Sequence, residues 1–121
     1  MIKVTVLYNL PPGADEAEFV RWRTTEHHAA NVAQPGVVRS DFCRVLGTPM
    51  IGPERPASAD PPFRFITESW WSTYESFLAS WNDLAEQARL VPAVAKIADA
   101  LFLVSEELQR YPAPGDDGTA R

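Results

Sequence analysis

Hydrophobic and polar residues alternate in four short segments of the chain, and this period of two predicts four β-strands. The segments span residues 2–8, 37–46, 63–71 and 100–108. The first is rich in β-branched and aromatic residues, and the Pro-Pro-Gly sequence at 11–13 follows it and interrupts regular structure. In the second segment both faces mix charged and apolar groups, and strict alternation places Val37 and Arg39 on one face and Ser40 on the other. This mixture is typical of a strand that lies beside a solvated cavity, or of a strand that is half exposed to solvent.

A segment with apolar residues at helical spacing lies between the first two strands. It begins at Asp15, where Glu18 follows at capping-box spacing, and we expect the helix to run to about Ala33. Pro35 and Gly36 then stop it. Its apolar stripe consists of Phe19, Trp22, Ala29, Ala30 and Ala33.

A second helical segment follows the third strand. Ser72 and Glu75 have capping-box spacing at its start, and Pro92 is expected to break or kink it. Its apolar stripe consists of Phe77, Trp81, Leu84 and Ala88. Between the second and third strands, residues 47–62 contain five prolines and no regular period, which predicts a long loop.

The order strand, helix, strand, strand, helix, strand predicts an α+β, ferredoxin-like βαββαβ fold with a four-stranded antiparallel sheet. Its helices cover one face of the sheet, and a second copy of the chain is an economical cover for the other. We therefore expect a homodimeric α/β barrel whose two sheets enclose a chamber. We assign residues 1–110 to this domain and 111–121 to a disordered tail rich in Pro, Gly and Asp.

Composition narrows the possible partners and the compartment. The 121 residues carry a formal net charge of -5 and contain no basic run, which argues against nucleic acid and anionic membrane surfaces as partners. Cys43 is the single cysteine, so an intrachain disulfide is excluded. A targeting segment and a bilayer-spanning apolar run are not expected either, which predicts a cytoplasmic protein without membrane contact.

Three short stretches resemble a known family. The most informative holds Phe19-Val20-Arg21-Trp22, then His27, then Pro35-Gly36-Val37. Together with the first strand and the Glu68-Ser69-Trp70-Trp71 stretch, they resemble the EthD-like members of the dimeric α/β-barrel superfamily. That superfamily includes isomerases, polyketide cyclases, cofactor-free monooxygenases and members without an assigned activity. The resemblance therefore implies a dimer that acts without a cofactor on a small molecule, but one fold hosts many chemistries.

The two histidines are the first candidates for proton transfer near neutral pH. His27 borders the apolar stripe of the first helix, whereas His28 points away from it, and the resemblance also selects His27. Arg23, His27 and Asn31 are spaced four apart and form one row along the helix, so Arg23 and Asn31 are candidate substrate contacts. The alternative is structural, since a histidine near a helix C-terminus complements the helix dipole.

The strands supply the other candidates. Glu68 or Asp41 would fix the tautomer of His27, and Tyr8 or Arg39 would stabilise a developing enolate. The structural alternative for Glu68 is an ion pair across the sheet to an arginine of the second strand. Trp70 and Phe102 are candidate walls of a substrate pocket, although aromatic residues at these spacings are more often core.

Metal and nucleophilic chemistry receive little support. The sequence lacks a histidine or cysteine cluster at metal-ligand spacing, so neither a metal nor another cofactor is expected. We interpret Cys43 as a small apolar packing residue, which could act as a nucleophile only if the fold brings His27 against it.

Three functions remain open. The first is a cofactor-free lyase, isomerase or cyclase that acts on an aromatic or polyketide-like substrate through histidine acid/base catalysis. The second is a cofactor-free monooxygenase of hydroquinones, with Trp70 packing the substrate against oxygen. The third is a barrel that binds a small molecule without catalysis.

Overall fold

The computed structural model describes residues 1–111, so the predicted disordered tail lies, from residue 112 on, outside the described part of the chain. Four strands and four helices follow one another along the chain. They are β1 (Ile2–Asn9), α1 (Glu16–Thr24), α2 (Glu26–Val32), β2 (Val37–Arg44), β3 (Phe65–Trp71), α3 (Tyr74–Trp81), α4 (Leu84–Val94) and β4 (Ala98–Glu106). Each predicted helix is thus a pair of shorter helices.

The four strands form one antiparallel sheet in the order β2-β3-β1-β4. This order confirms the predicted ferredoxin-like α+β fold. The long connection between β2 and β3 contains neither helix nor strand, as predicted, and an isolated bridge between Thr48 and Ser58 joins its two arms.

Alternate residues of β1 and β3 build the core on the helix-covered face of the sheet. Val6, Tyr8 and Phe65 pack against Phe19 of α1 in one buried cluster. A second cluster joins Val4 and Trp71 to Phe77 of α3. Because cross-strand neighbours share a face, the register of Tyr8 with Phe65 and of Val4 with Ser69 defines this side of the sheet.

The first predicted helix is interrupted at Thr25, whose backbone leaves the helical region at φ -116° and ψ -90°. The hydroxyl of Thr25 donates to the carbonyl oxygen of Arg21, a side-chain bond that competes with the backbone ladder. Asp15 caps α1 by accepting a hydrogen bond from the Glu18 amide at 3.1 Å, as predicted. His27 consequently lies in the first turn of α2, and its predicted place near a helix C-terminus is wrong.

The second predicted helix also begins and breaks elsewhere. Thr73, not Ser72, is the N-cap of α3, and its reciprocal partner is Ser76. A new helix starts after Asp83, whose side chain accepts a hydrogen bond from the Glu86 amide. Pro92 lies inside α4 near its end, so the break occurs at a capping aspartate rather than at the proline.

A bulge in β2 changes which of its side chains face the helices. Val37 pairs with Trp71 and Arg39 with Trp70, so two residues of β2 oppose a single step of β3. Val37 and Ser40 therefore both lie on the helix-covered side, and the prediction of strict alternation is wrong at this point.

The opposite face of the sheet lacks a helix among the described residues. It carries Leu7, Leu101 and Leu103, and both leucines of β4 are more than two-fifths exposed. None of the helices in residues 1–111 combines the length and apolar character that crossing a membrane requires.

Candidate functional site

A cavity of about 100 Å³ lies between the sheet and helices α1, α2 and α4. Its wall is mostly apolar, and its larger polar side chains come from β1, from the first two helices and from the turn after them: Tyr8, Arg23, His27, Asn31 and Gln34. Strands β2 and β3 add the small hydroxyl side chains of Ser40, Thr67 and Ser69. For scale, a cavity of about 150 Å³ in another protein holds benzene. The chamber predicted from the sequence was on the uncovered face of the sheet, whereas this cavity lies on the helix-covered face, between the sheet and the helices of the same chain.

His27 is half-buried in the cavity wall between an aromatic ring and a cation. Its imidazole stacks on Trp22, with ring centroids 4.5 Å apart and an angle of 25° between the planes. Its Nδ1 lies 3.4 Å from Nη1 of Arg89. Because a guanidinium can only donate, this contact makes Nδ1 the acceptor and assigns the proton of the neutral ring to Nε2.

The surroundings of His27 favour its neutral form. Burial lowers the pKa of His27 from 6.5 to about 4, and the positive charges of Arg23 and Arg89 add to this effect. The imidazole is therefore uncharged at neutral pH and can take up a proton.

Arg89 is itself held in place by neighbours on two helices. Its Nη2 donates to Oδ1 of Asn31 at 3.0 Å, and its Nε donates to Oε2 of Glu86 at 3.2 Å. Gln34 also donates to Glu86. This network fixes the guanidinium beside His27 and leaves Asn31 engaged on its carbonyl oxygen.

Tyr8 brings a buried hydroxyl to the floor of the cavity. Its oxygen lies 2.8 Å from Oγ1 of Thr67 on the neighbouring strand. Burial raises the pKa of Tyr8 above its usual value, against the opposing effects of Thr67 and Arg23. The phenol is therefore protonated at neutral pH and can donate a hydrogen bond.

Arg23 is the buried charged residue among the described positions, with 3% of its surface exposed. Its guanidinium lies over the ring of Phe42, 4.9 Å from the centroid. Neither Nη1 nor Nη2 has a hydrogen-bond partner. Burial lowers the pKa of Arg23, but an arginine keeps its charge in proteins.

Five of the predicted site residues meet at this cavity. They are Tyr8, Arg23, His27, Asn31 and Phe102. The three residues of the predicted row, Arg23, His27 and Asn31, thus all line this cavity, even though the helix breaks at Thr25. His28 is exposed, as expected from its direction.

The structure places the other four, Glu68, Asp41, Arg39 and Trp70, on the opposite face of the sheet. Glu68 pairs with Thr5 and with Asp41, and Trp70 pairs with Lys3 and with Arg39, whereas the cavity is lined by their neighbours Thr67, Ser69 and Trp71. Successive strand residues point to opposite faces, so a shift of one position separates these side chains from His27. The prediction that Glu68 or Asp41 fixes the tautomer of His27 is therefore wrong for this chain, and Arg89 occupies that place.

The four displaced candidates interact with one another on the open face. Glu68 lies 3.1 Å from Nζ of Lys3, so its ion pair is with β1 and not with an arginine of β2 as expected. Asp41 pairs with Arg39 at 2.9 Å. The Arg39 guanidinium covers Trp70 at 4.7 Å. Cys43 is exposed on this same face, away from His27.

Sequence reasoning missed Arg89, and it placed Trp22 only in the apolar stripe of the first helix. The spacing of Glu86 and Arg89, three apart on a helix, was a detectable sign of a fixed guanidinium. In residues 1–111, no group of three histidine, cysteine or acidic side chains is arranged to hold a metal ion.

No protein-family model matches this chain, and a search of curated proteins found no match. Solved structures do match it. An ethyl tert-butyl ether d (EthD) family protein from Bacillus halodurans C-125 gives a TM-score of 0.70 at 20% identity, covering 89% of this chain and 99% of that chain.

Two further similar structures are of proteins with a named activity. SnoaB, a cofactor-independent oxygenase from Streptomyces nogalater, gives a TM-score of 0.66 at 14% identity and covers 93% of this chain and 97% of its own. The hydroxynitrile lyase from Passiflora edulis gives 0.67 at 14% identity, with coverages of 92% and 96%. At such identities the likeness establishes the fold alone, and this chain shares its ferredoxin-like fold with these proteins.

Proposed function

We propose that this protein is a cofactor-free catalyst of the lyase, isomerase or cyclase kind, in which His27 exchanges a proton α to a carbonyl of a small aromatic molecule. The observation that carries the proposal is the convergence in one cavity of a neutral imidazole and a protonated Tyr8 hydroxyl. A proton acceptor and a hydrogen-bond donor within one small cavity are the two groups that enolisation requires.

Proton uptake by His27 is coupled to its contact with Arg89. A protonated imidazole and a guanidinium repel each other, so the 3.4 Å contact must lengthen when the ring accepts a proton. An enolate formed in the cavity offsets this repulsion, because a negative charge beside His27 favours the imidazolium. The base is thus weak in the empty cavity and strengthened as the product of proton transfer forms.

Tyr8 is placed to stabilise the enolate oxygen. Its hydroxyl can accept a hydrogen bond from Thr67 and donate its own proton to the substrate oxygen. Consecutive hydrogen bonds polarise each other, so Thr67 strengthens Tyr8 as a donor. The sequence offered Tyr8 or Arg39 as the residue that stabilises the enolate. This proposal assigns the role to Tyr8, since Arg39 is on the face of the sheet opposite to the cavity.

The size and lining of the cavity select the substrate. Trp22, Phe19 and Phe102 present aromatic surface to a space of about 100 Å³, which suits a single ring rather than a fused polycycle. A polyketide-like substrate therefore fits this proposal as a one-ring compound.

The similar structures support two chemistries in this fold, a lyase and a cofactor-independent oxygenase. For the second chemistry, the tryptophans that line the cavity are Trp22, Trp71 and Trp81, in place of the expected Trp70. We keep oxygenation of a hydroquinone as the competing outcome of the experiment below.

A second copy of the chain is our proposed cover for the open face of the sheet. Leu101 and Leu103 are 44% and 46% exposed there, beside Leu7 and Ile66 on the adjoining strands. Burial of such a patch in a homodimer removes apolar surface from water.

Proton exchange tests the proposal directly. Wild-type protein is incubated with acetophenone in D₂O, and loss of the methyl signal is followed by ¹H NMR. We expect acceleration by the wild type, a rate at least about tenfold lower for His27→Gln, and no change for the exposed neighbour variant His28→Gln. Exchange that is unaffected by His27→Gln overturns the proposal.

The same samples separate the competing functions. Protein-dependent oxygen consumption with methylhydroquinone, without accelerated exchange, would replace the lyase or isomerase proposal by oxygenation. Saturable ligand binding with neither reaction would make the protein a binding barrel.

A further inference from the structure

The Arg23 guanidinium is a buried cation whose terminal nitrogens are both left without a partner. It is 97% shielded from solvent, as its 3% exposure shows, and it contributes to the cavity wall. Buried charged groups are normally paired, since an unsatisfied donor loses its hydrogen bonds to water without replacement. The arrangement therefore costs folding free energy, and a ligand that satisfies it would recover that cost.

The neighbours of Arg23 do not supply the missing acceptor. The hydroxyl of Tyr8 lies close enough to Arg23 to oppose the lowering of its pKa by burial, but it is hydrogen-bonded to Thr67 and neither terminal nitrogen meets it in hydrogen-bond geometry. The ring of Phe42 covers the face of the guanidinium. His27 is neutral and Arg89 is positively charged, so neither offers the guanidinium an anionic acceptor. Glu86, the acidic side chain nearest to this network, is held by Arg89 and Gln34.

From this geometry we infer that the cavity binds a small aromatic carboxylate, with the carboxylate on the two terminal nitrogens of Arg23 and the ring among the aromatic side chains of the wall. Nη1 and Nη2 form the edge of a guanidinium that a carboxylate contacts through two parallel hydrogen bonds. A neutral carbonyl or a single phenolate oxygen would satisfy only one of the two nitrogens. Because both terminal nitrogens lack a partner, a carboxylate is the favoured ligand group.

This inference rests on the proposed function only in placing the ligand in the cavity, and it does not require His27 to transfer a proton. The two nitrogens are covered in the empty protein, so the carboxylate must reach them as the Arg23 side chain turns towards the cavity. The negative charge would then lie between Arg23 and His27. A bound carboxylate would also favour the protonated form of His27, which connects ligand recognition to the proposed base.

Isothermal titration calorimetry with benzoate and its neutral isostere benzamide tests the inference. We expect the wild type to bind benzoate at least about tenfold more tightly than benzamide, one step of the affinity scale. Arg23→Met should abolish this preference and leave benzamide binding within about threefold. Arg23→Lys keeps the positive charge but loses the paired N–H donors of the guanidinium. It should therefore retain only part of the preference for benzoate over benzamide.

Arg21→Met is the matched control, because Arg21 lies two residues earlier on α1, is exposed and pairs with Glu18. It should keep the wild-type preference. A melting temperature for Arg23→Met at or above that of the wild type shows that loss of binding is not loss of fold, since the variant removes an unpaired buried charge.

Equal affinity of the wild type for the two ligands overturns the inference, as does a benzoate preference that survives in Arg23→Met. Absence of benzoate binding at about 10 mM, where even a millimolar complex is populated, also overturns it. A benzoate preference that persists in His27→Gln supports the inference whatever the outcome of the proton-exchange experiment.

Discussion

Nδ1 of His27 lies 3.4 Å from Nη1 of Arg89, so the only close polar partner of the candidate base in the described chain is a cation. Catalytic histidines are commonly oriented by a carboxylate, which stabilises the imidazolium. The cation here has the opposite effect: burial, the charge of Arg23 and this charge of Arg89 together lower the pKa of His27 to about 4.

Removal of the Arg89 charge is therefore expected to raise the pKa of His27. Arg89→Leu deletes one of the two positive charges that act on the imidazole and leaves Glu86 without its guanidinium partner, and both changes favour protonation. The pKa is measured by an NMR titration of the imidazole signals. Arg55→Leu, in the exposed loop, is the control and should leave the value near 4. An unchanged pKa in Arg89→Leu would show that burial and the charge of Arg23 account for the low pKa without Arg89.

The same depressed pKa makes the fold less stable in mild acid. The pKa of His27 is about 4 in the folded protein and 6.5 unperturbed, so between these values the unfolded chain binds more protons. The contribution of the neutral His27 to the free energy of unfolding is fully present above pH 6.5 and is lost progressively as the pH falls towards 4. After a discount for partial exposure, we expect a loss of about 1 kcal/mol between neutral pH and pH 5.

Urea unfolding at the two pH values measures this difference. His27→Gln has no proton to bind and should lose less stability than the wild type over the same interval. His28→Gln keeps the buried imidazole and should behave as the wild type does. Equal losses in wild type and His27→Gln would assign the acid sensitivity to other groups.

Glu68 provides a contrast to His27, because sequence reasoning paired the two and the structure separates them by the thickness of the sheet. Glu68→Gln weakens the contact with Lys3 at 3.1 Å but leaves the cavity untouched. We expect its rate of proton exchange to stay within about twofold of the wild type, the usual scale of a surface substitution. A loss comparable to that of His27→Gln would mean that Glu68 reaches the reaction, contrary to the strand register.

The strands show how far the sequence could determine the site. Val4 and Val6 alternate with Lys3 and Thr5, so the core side of β1 is evident from its pattern. In β3 the inward side carries Thr67 and Ser69, and Trp70 and Trp71 offer an aromatic ring on each face. Hydrophobicity alone does not decide between these two faces, and the four candidates of β2 and β3 lie on the face opposite to the cavity.

The helices show a different limit. Four-residue spacing correctly grouped Arg23, His27 and Asn31, because neighbouring turns stay aligned across the short break at Thr25. The contact between Arg89 and His27 joins residues 62 positions apart and depends on how α4 packs against α2. Periodicity within one helix carries no information about such a contact. The burial of Arg23 likewise departs from the usual exposure of arginine, and departures of this kind concentrate at functional sites.

The open face of the sheet leads to the last prediction, which concerns assembly. Leu103 is 46% exposed beside Thr5 on this face, and Leu103→Asp would place a charge in the proposed dimer interface. Burial of an unpaired carboxylate is unfavourable, so we expect the wild type to have the mass of a dimer and the variant that of a monomer in size-exclusion chromatography with light scattering. Leu108→Asp is the control, since Leu108 is 89% exposed and lies beyond the end of β4. The cavity is enclosed by a single chain, so a monomeric Leu103→Asp should still bind ligand there. A monomeric wild type would show that the open face needs no second copy.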